Sequence, residues 1–270
     1  MDLKILKDLP PWEWPEDAAK TFLDILRDPQ ASEADRRLAA ELGGDFTVIN
    51  DALADALLSI VSGSDQSEEL RSQAAISLGP ALEQVEIEGF DFPDDVPISE
   101  PTFERIRQTL RKLYADASVP AAVRRSILEA SVRTPQDWHH EAVRAAYSTD
   151  DPAWRLTAVF CMRFIRGFDP QILEALESGD PNLELQAVCA AGNWELNAAW
   201  EHVADLAASE YTEKGLRLAA IEAIAMIDPP ASGDILGELL ESDDEEIVDA
   251  ASEALGFAAA LADEDEEEFQ

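Results

Sequence analysis

The sequence predicts an all-α fold, an α-solenoid of about seven helix-turn-helix repeats. The main observation is a ten-residue pattern that occurs seven times: an apolar residue, a position that is usually charged, two variable positions and an alanine-rich apolar run. Successive copies begin 36, 53, 31, 29, 33 and 31 residues apart, and a period near 30 is typical of stacked helical repeats. The copies are Ala34–Gly43, Leu70–Gly79, Val123–Val132, Trp154–Arg163, Leu183–Gly192, Leu216–Ala225 and Ile247–Gly256.

Each copy is predicted to form the second helix of a repeat, with a first helix directly before it. Most of the preceding segments carry apolar residues at helical spacing, such as Ile172, Leu173 and Leu176. Turns rich in Asp, Ser, Gly and Pro separate the two helices and supply N-caps for the second one. The predicted first helices are Asp17–Arg27, Phe46–Ser62, Glu100–Asp116, Asp137–Ser148, Pro170–Glu177, Ala199–Ser209 and Ser232–Glu241.

Alanine recurs at the fifth and eighth positions of the pattern, as at Ala187 and Ala190. Side chains this small let two helices approach at the short end of the roughly 8–10 Å range of interaxial distances. We therefore expect the helices to pack closely along this stripe.

Three segments depart from the repeat. The repeat solenoid is predicted to cover 16–262. Before it we predict an N-terminal capping segment over 1–15, which contains Trp12 and Trp14. An insertion over 85–99 interrupts the period, and its Phe90 and Phe92 either pack back on the repeats or contact a partner. The acidic tail over 263–270 is predicted to be disordered, because it has almost nothing apolar to bury.

The pattern resembles the second helix of HEAT and HEAT-like (phycobilin-lyase type) repeats, whose form is roughly Asp-x-x-Val-Arg-x-x-Ala-Ala-x-Ala-Leu-Gly. The segments Leu70–Gly79 and Asp244–Gly256 match this form well, and the resemblance covers about residues 16–262. It implies an Asp–Arg ladder between repeats. The arginine position holds Arg71, Arg124, Arg155 and Arg217, whereas Asp35, Glu184 and Val248 leave the ladder incomplete in the first, fifth and seventh repeats.

The chain is strongly acidic, with 57 Asp and Glu against 20 Lys and Arg, a net charge of −37. Such a chain repels phosphate backbones and anionic lipid, so we expect no nucleic acid and no membrane among its partners. Solubility, or an acidity shared by a whole proteome, explains the charge equally well. No apolar run approaches the roughly 20 residues of a membrane helix and no secretory signal is visible, so we predict a cytoplasmic protein.

No catalytic motif stands out. The chain has three histidines and two cysteines, and Cys161 and Cys189 are predicted to be small buried side chains. HEAT-like deoxyhypusine hydroxylases bind iron through several His-Glu dipeptides, whereas this chain has only His140-Glu141 and the reversed Glu201-His202. We therefore predict no metal, no cofactor and no enzymatic activity.

Cationic residues concentrate in the third and fourth repeats. Residues 101–170 contain eleven Lys and Arg against eight Asp and Glu, a net charge of +3, so the other 200 residues carry −40. Either these arginines pair with acids on neighbouring repeats, or they form a contact surface with nearby aromatic residues. The predicted partner-binding residues are Arg125, Arg133, Trp138, His139, Arg155, Arg163 and Arg166.

These observations predict a non-catalytic protein–protein interaction scaffold or adaptor. It is expected to act as a monomer and to bind a protein partner, with a basic segment, on its concave face. One alternative is a lyase-like or maturation-factor accessory protein that acts on a cofactor-bearing protein, which rests on family analogy alone. Another is an acidic nucleic-acid mimic whose carboxylates imitate phosphates.

Overall fold

The fold is helical in a computed structural model that describes residues 3–92 and 95–268, with side chains as far as residue 260; no strand occurs in those ranges. The chain divides into two compact units, and the boundary falls between Ala142 and Val143. We call the part before this boundary unit 1 and the part after it unit 2.

Unit 1 contains the first three repeats. Its helices are α1 (Leu3–Lys7), α2 (Ala18–Arg27), α3 (Glu33–Gly43), α4 (Asp51–Ser62), α5 (Glu68–Ile76), α6 (Gly79–Glu88), α7 (Glu100–Ala115) and α8 (Ala121–Ser131). The unit boundary lies within α9 (Asp137–Tyr147).

Unit 2 contains the last four second helices. Its helices after α9 are α10 (Pro152–Cys161), α11 (Asp169–Leu176), α12 (Pro181–Asn193), α13 (Trp200–Ala208), α14 (Lys214–Ile227), α15 (Pro229–Leu239) and α16 (Glu245–Glu268). Every predicted first and second helix has its counterpart, so the predicted α-solenoid of about seven helix-turn-helix repeats is confirmed.

The second helices pack directly on one another within each unit. In unit 1, α3 contacts α5 and α5 contacts α8; in unit 2, α10, α12, α14 and α16 pack in succession. The alanines at the centre of these contacts are buried, among them Ala74, Ala158, Ala187 and Ala220. The small side chains of the pattern therefore set the distance between repeats.

A close approach in unit 2 lies between α12 and α14, at Gly192. A Cβ atom on Gly192 would stand 3.1 Å from the Ala223 Cα atom and 2.8 Å from the Met226 Cε atom. Gly256 occupies the same pattern position in the last copy, but a Cβ there would meet no described atom within 4 Å. One glycine is thus required by the neighbouring repeat and the other is not.

Arginines of the second helices cap the first helices of their own repeats. Arg71 Nε donates a hydrogen bond to the Val61 carbonyl at 3.0 Å, and Arg217 Nε donates to the Ala207 carbonyl at 3.0 Å. Both carbonyls belong to the last turn of a helix, where no backbone N–H is available to them. These two arginines therefore act within a repeat rather than in the ladder between repeats that the resemblance implies.

The first repeat has the same arginine, one residue later than the sequence pattern suggests. Arg36 Nη2 donates to the Leu26 carbonyl at 3.4 Å, ten residues back, as Arg71 and Arg217 do. The buried Ala39 and Ala40 follow Arg36 at the spacing of the buried alanines after Arg71. The prediction that the first repeat lacks this arginine is wrong. Three charged residues in a row, from Asp35 to Arg37, leave the register of the pattern ambiguous in this copy.

The insertion is shorter than predicted. Helix α6 continues through Glu88 because Leu82 and Val85 are buried along one face, so the irregular segment runs over 89–99, of which residues 93 and 94 lie outside the described residues. Phe90 packs edge-on against Phe103, with ring centroids 5.6 Å apart, whereas Phe92 is 69% exposed. Only the first of the two phenylalanines thus packs back on the repeats.

The two chain ends differ from the repeats. Trp14 donates from Nε1 to the Leu6 carbonyl at 2.9 Å and packs edge-on against Phe22, whereas Trp12 is exposed. The predicted acidic tail, 263–270, falls within α16 as far as Glu268, and its last two residues lie outside the described residues. Its disorder stays a prediction.

We expect Gly192→Ala to lower the free energy of unfolding by about 1–3 kcal/mol, because the new methyl group overpacks the α12–α14 contact. Gly256→Ala is the matched control. It should raise the free energy of unfolding by up to about 1 kcal/mol, since alanine is the better helix former and meets nothing there. Urea unfolding followed by circular dichroism measures both; equal changes would contradict the account of close packing.

We expect Arg71→Met to lower the free energy of unfolding by about 1–3 kcal/mol, because it leaves the Val61 carbonyl without a partner while keeping a long apolar stem. Arg37→Met, at an exposed arginine on α3, should change it by less than about 0.5 kcal/mol. The same unfolding experiment compares them, and similar losses in both variants would rule out the capping role.

Candidate protein-interaction surface

The predicted partner-binding residues are divided between the two units. Arg125, Arg133, Trp138 and His139 belong to unit 1, and Arg155, Arg163 and Arg166 belong to unit 2. The structure shows that several of them have roles inside their own unit.

His139 is fully buried in unit 1. The Gln136 backbone N–H donates to its Nδ1 at 2.9 Å, so the ring proton lies on Nε2, which is 3.0 Å from the Ser131 hydroxyl oxygen. Burial lowers the pKa of His139 to about 3, and Arg107, His140 and Arg111 act in the same direction. The prediction that His139 contacts a partner is wrong, because its position on α9 turns it into the core.

Trp138 and Arg133 are also used within unit 1. The Trp138 ring lies 5.0 Å from the Tyr114 ring and 3.8 Å from the His139 ring. Arg133 forms a salt bridge with Glu83 and lies against Gly79, where a Cβ atom would come within 2.9 Å of its Nε atom. Both side chains are half-buried, as is Arg125, whose partner-binding role stays a prediction.

Arg155 connects successive helices of unit 2. Its Nη2 atom donates to the Glu174 carboxylate at 3.0 Å and lies 3.4 Å from the Tyr147 hydroxyl. The guanidinium carbon is 5.0 Å from the centroid of the Tyr147 ring. For Arg155, pairing with an acid on the neighbouring repeat is therefore the better of the two sequence interpretations.

Arg163 and Arg166 lie at the end of α10 among aromatic rings. The Arg163 guanidinium is 5.7 Å from the Phe160 centroid and 5.8 Å from the Phe164 centroid. Arg166 is exposed and lies 4.5 Å from the centroid of the Trp194 ring. These two arginines remain candidates for partner contact.

Trp194 fixes the connector after α12 to the end of α10. Its Nε1 atom donates to the Met162 carbonyl at 2.6 Å, and the Asn193 amide donates to the Arg163 carbonyl at 3.2 Å. The carbonyls that α10 leaves unpaired at its C-terminal end are thus bonded by side chains of the next repeat.

One side of the second helices in unit 2 carries side chains that are exposed or half-buried. In α12, α14 and α16, residues at the seventh pattern position and four residues later lie on the same face of the helix. In the copy at α10 the first of these positions lies on the helix, whereas the second lies in the turn that follows it. Because α10, α12, α14 and α16 pack side by side, these positions form one surface, which we call the second-helix surface. Its residues are Phe160, Phe164, Cys189, Asn193, Glu222, Met226, Glu253 and Phe257.

The pKa of Cys189 on α12 depends on charged side chains from neighbouring parts of this surface. Burial raises the pKa of the half-buried Cys189 thiol; the Arg163 guanidinium opposes this rise and the Glu222 carboxylate adds to it. The pKa of Cys189 is thus subject both to a cation that follows α10 and to an anion on α14. The surface is cationic and aromatic at α10, and acidic and apolar at α14 and α16.

A groove between α14 and α16 forms the acidic end of this surface. It has a cavity volume of about 190 Å³ and is lined by Glu222 and Met226 on α14 and by Glu253 and Phe257 on α16. The distribution of charge along the chain does not indicate this groove. The repeat pattern places its four wall residues at the seventh and eleventh positions of successive copies, but it does not predict the width of the groove.

Two further properties describe the rest of the chain. Among the described residues, no three His, Cys, Asp or Glu side chains are grouped so that they could hold a metal ion. None of the described helices combines the length and the apolar character needed to cross a bilayer.

We expect the free energy of unfolding to fall by roughly 1 kcal/mol between pH 7.5 and 5.5 because of His139. The pKa of His139 is about 3 in the folded protein, below the ordinary value of 6.5 that applies to the unfolded chain. As the pH falls, the unfolded chain therefore takes up a proton at this residue before the folded protein does, and the free energy of unfolding decreases below about pH 6.5. In His139→Gln this part of the pH dependence should disappear, whereas His140→Gln, at the exposed neighbour, should keep it. Chemical unfolding at both pH values gives the comparison, and an unchanged loss in His139→Gln would contradict it.

Comparison with known proteins agrees with the helical repeats. A family model for HEAT repeats matches residues 169–256. No curated protein matches the chain. Similar solved structures include human deoxyhypusine hydroxylase in complex with glycerol, at 16% identity with a TM-score of 0.42 over 93% of each chain. A first engineered protein is similar at 14% identity with a TM-score of 0.40, over 90% of this chain and 78% of that protein. A second engineered protein is similar at 16% identity with a TM-score of 0.34, over 91% of this chain and 98% of that protein. The matched segment, residues 169–256, is thus similar to HEAT repeats, and it runs from α11 into α16.

Proposed function

We propose that the protein is a non-catalytic scaffold or adaptor that binds a protein partner on the second-helix surface of unit 2. HEAT repeats are typical protein-interaction scaffolds. The observation that carries the proposal is the set of bulky apolar side chains on this surface, two at the α10 end and one each on α14 and α16, with α12 between them. Phe160, Phe164 and Met226 are half-buried, and Phe257 is 47% exposed.

Grouped apolar side chains carry more weight than scattered ones. A single exposed hydrophobic residue is ordinary in a folded protein, whereas several apolar side chains grouped on one surface and rimmed by charge are typical of an interaction site. Arg163 and Arg166 border the group at one end, and arginine with aromatic residues is the composition most enriched at interface hot spots. Both observations support protein binding at this surface.

The charge of the chain favours a partner with a basic segment. With a net charge of −37, the protein attracts basic surfaces over a distance set by the ionic strength, about 10 Å at 0.1 M salt. The same charge repels nucleic-acid phosphates, which supports a protein partner. We propose that the protein acts as a monomer in the cytoplasm, as the sequence predicts.

A photo-cross-linking amino acid tests the surface in the cell that makes the protein. Placed at Cys189, in the middle of the second-helix surface, it should give a discrete adduct with a partner protein. Placed at Asp205, an exposed residue of the first helix α13, it should give none. Equal adducts from both positions, or none from Cys189, would contradict the proposal.

A matched pair of charge reversals adds a second readout. Arg166→Glu should reduce the Cys189 adduct by about tenfold, the size of a hot-spot loss, because it removes the cation stacked on Trp194. Arg144→Glu, at another exposed arginine of unit 2, should change it by less than about twofold. Both variants are compared at equal expression and with circular dichroism to verify the fold.

A further inference from the structure

We propose that the groove between α14 and α16 binds a segment of the partner protein in which a bulky apolar side chain stands next to a lysine or arginine. The inference rests on the proposed function and identifies the chemistry of the partner at one end of the second-helix surface.

The floor of the groove suits an apolar side chain. Small residues make room between Met226 and Phe257, because Ala225 on α14 and both Ala250 and Ala254 on α16 end at Cβ. The cavity of about 190 Å³ is smaller than the roughly 300–1,000 Å³ of pockets for whole ligands, which favours a single inserted side chain.

The two walls can adapt to what binds. Met226 is unbranched and half-buried, and methionine side chains adjust to partners of different shape. Phe257 exposes 47% of its surface at the edge of the groove, so an apolar group that enters would remove aromatic surface from water.

The rim of the groove supplies unbalanced negative charge. Glu222 and Glu253 stand at the same pattern position on neighbouring helices, and both are exposed. Neither forms a salt bridge with a described residue, whereas elsewhere in unit 2 Lys214 is paired with both Asp244 and Glu246. Two carboxylates beside an apolar floor complement a cation that follows an apolar anchor.

Other occupants fit the groove less well. A nucleic-acid backbone or an acidic peptide would bring negative charge onto the two carboxylates, and a second copy of this chain would bring a net charge of −37. A wholly apolar segment would leave the carboxylates beside it without a partner. A basic and apolar protein segment satisfies both the floor and the rim.

The test uses the full chain and peptides selected without regard to this proposal. Phage-displayed random dodecapeptides are enriched on the immobilised protein, and the best binder is synthesised and titrated by fluorescence anisotropy. We expect enriched sequences in which a bulky apolar residue adjoins lysine or arginine. Enrichment of acidic sequences, or no enrichment, would overturn the proposal.

Groove variants then locate the binding. Glu222→Lys combined with Glu253→Lys should raise the peptide Kd by about tenfold or more, and Phe257→Ser should do the same. The control is Asp234→Lys with Glu238→Lys, which makes the same change of charge at two exposed residues of α15 that do not line the groove. It should shift Kd by less than about threefold, an exposed-charge effect. A similar increase in Kd in the control and the groove variants, or an unchanged Kd in the groove variants, would overturn the proposal.

Two outcomes separate this inference from the proposed function. If the Cys189 adduct and its sensitivity to Arg166→Glu persist in the groove variants, the second-helix surface binds a partner elsewhere and only the groove inference fails. If the peptide binds the groove but no Cys189 adduct forms, the groove inference stands and the proposed scaffold function fails. Dimerisation in solution that Phe257→Ser abolishes would assign the groove to a second copy and overturn the inference.

Discussion

The close packing of second helices on one another is the constraint on which the rest of the structure depends. Buried alanines such as Ala187 and Ala220 and the side-chain-free Gly192 allow this approach. A repeat cannot bury its apolar face alone, and the second helices α3, α5, α8, α12, α14 and α16 each contact both their own first helix and a neighbouring second helix. One face of the second helices in unit 2 carries exposed or half-buried side chains, and it is on this face that we propose partner binding.

Much of the positive charge in the middle of the sequence is used to hold the repeats together. Arg155 pairs with Glu174, and Arg133 pairs with Glu83. A surplus of cations in a stretch of sequence therefore does not by itself predict a cationic surface. What distinguishes Arg166 is its exposure and its position over Trp194.

Periodicity alone predicts the helices and their pairing, because the buried stripe recurs in every copy. The register of the first copy is not predictable from it, since Asp35, Arg36 and Arg37 offer three charged positions and only the bond from Arg36 selects one. The burial of His139 could have been predicted from the helical phase it shares with Val143 and Ala146, both buried. The groove beside Phe257 could not, because its width depends on how closely two helices approach.

Hydrogen–deuterium exchange of the full chain, with and without its bound partner, tests the central claim most directly. That claim is that recognition takes place on the second helices of unit 2. The account predicts slower exchange of backbone amides in α10, α14 and α16 on binding, and no change in the first helices α13 and α15. Protection confined to the first helices, with α14 and α16 unchanged, would contradict it.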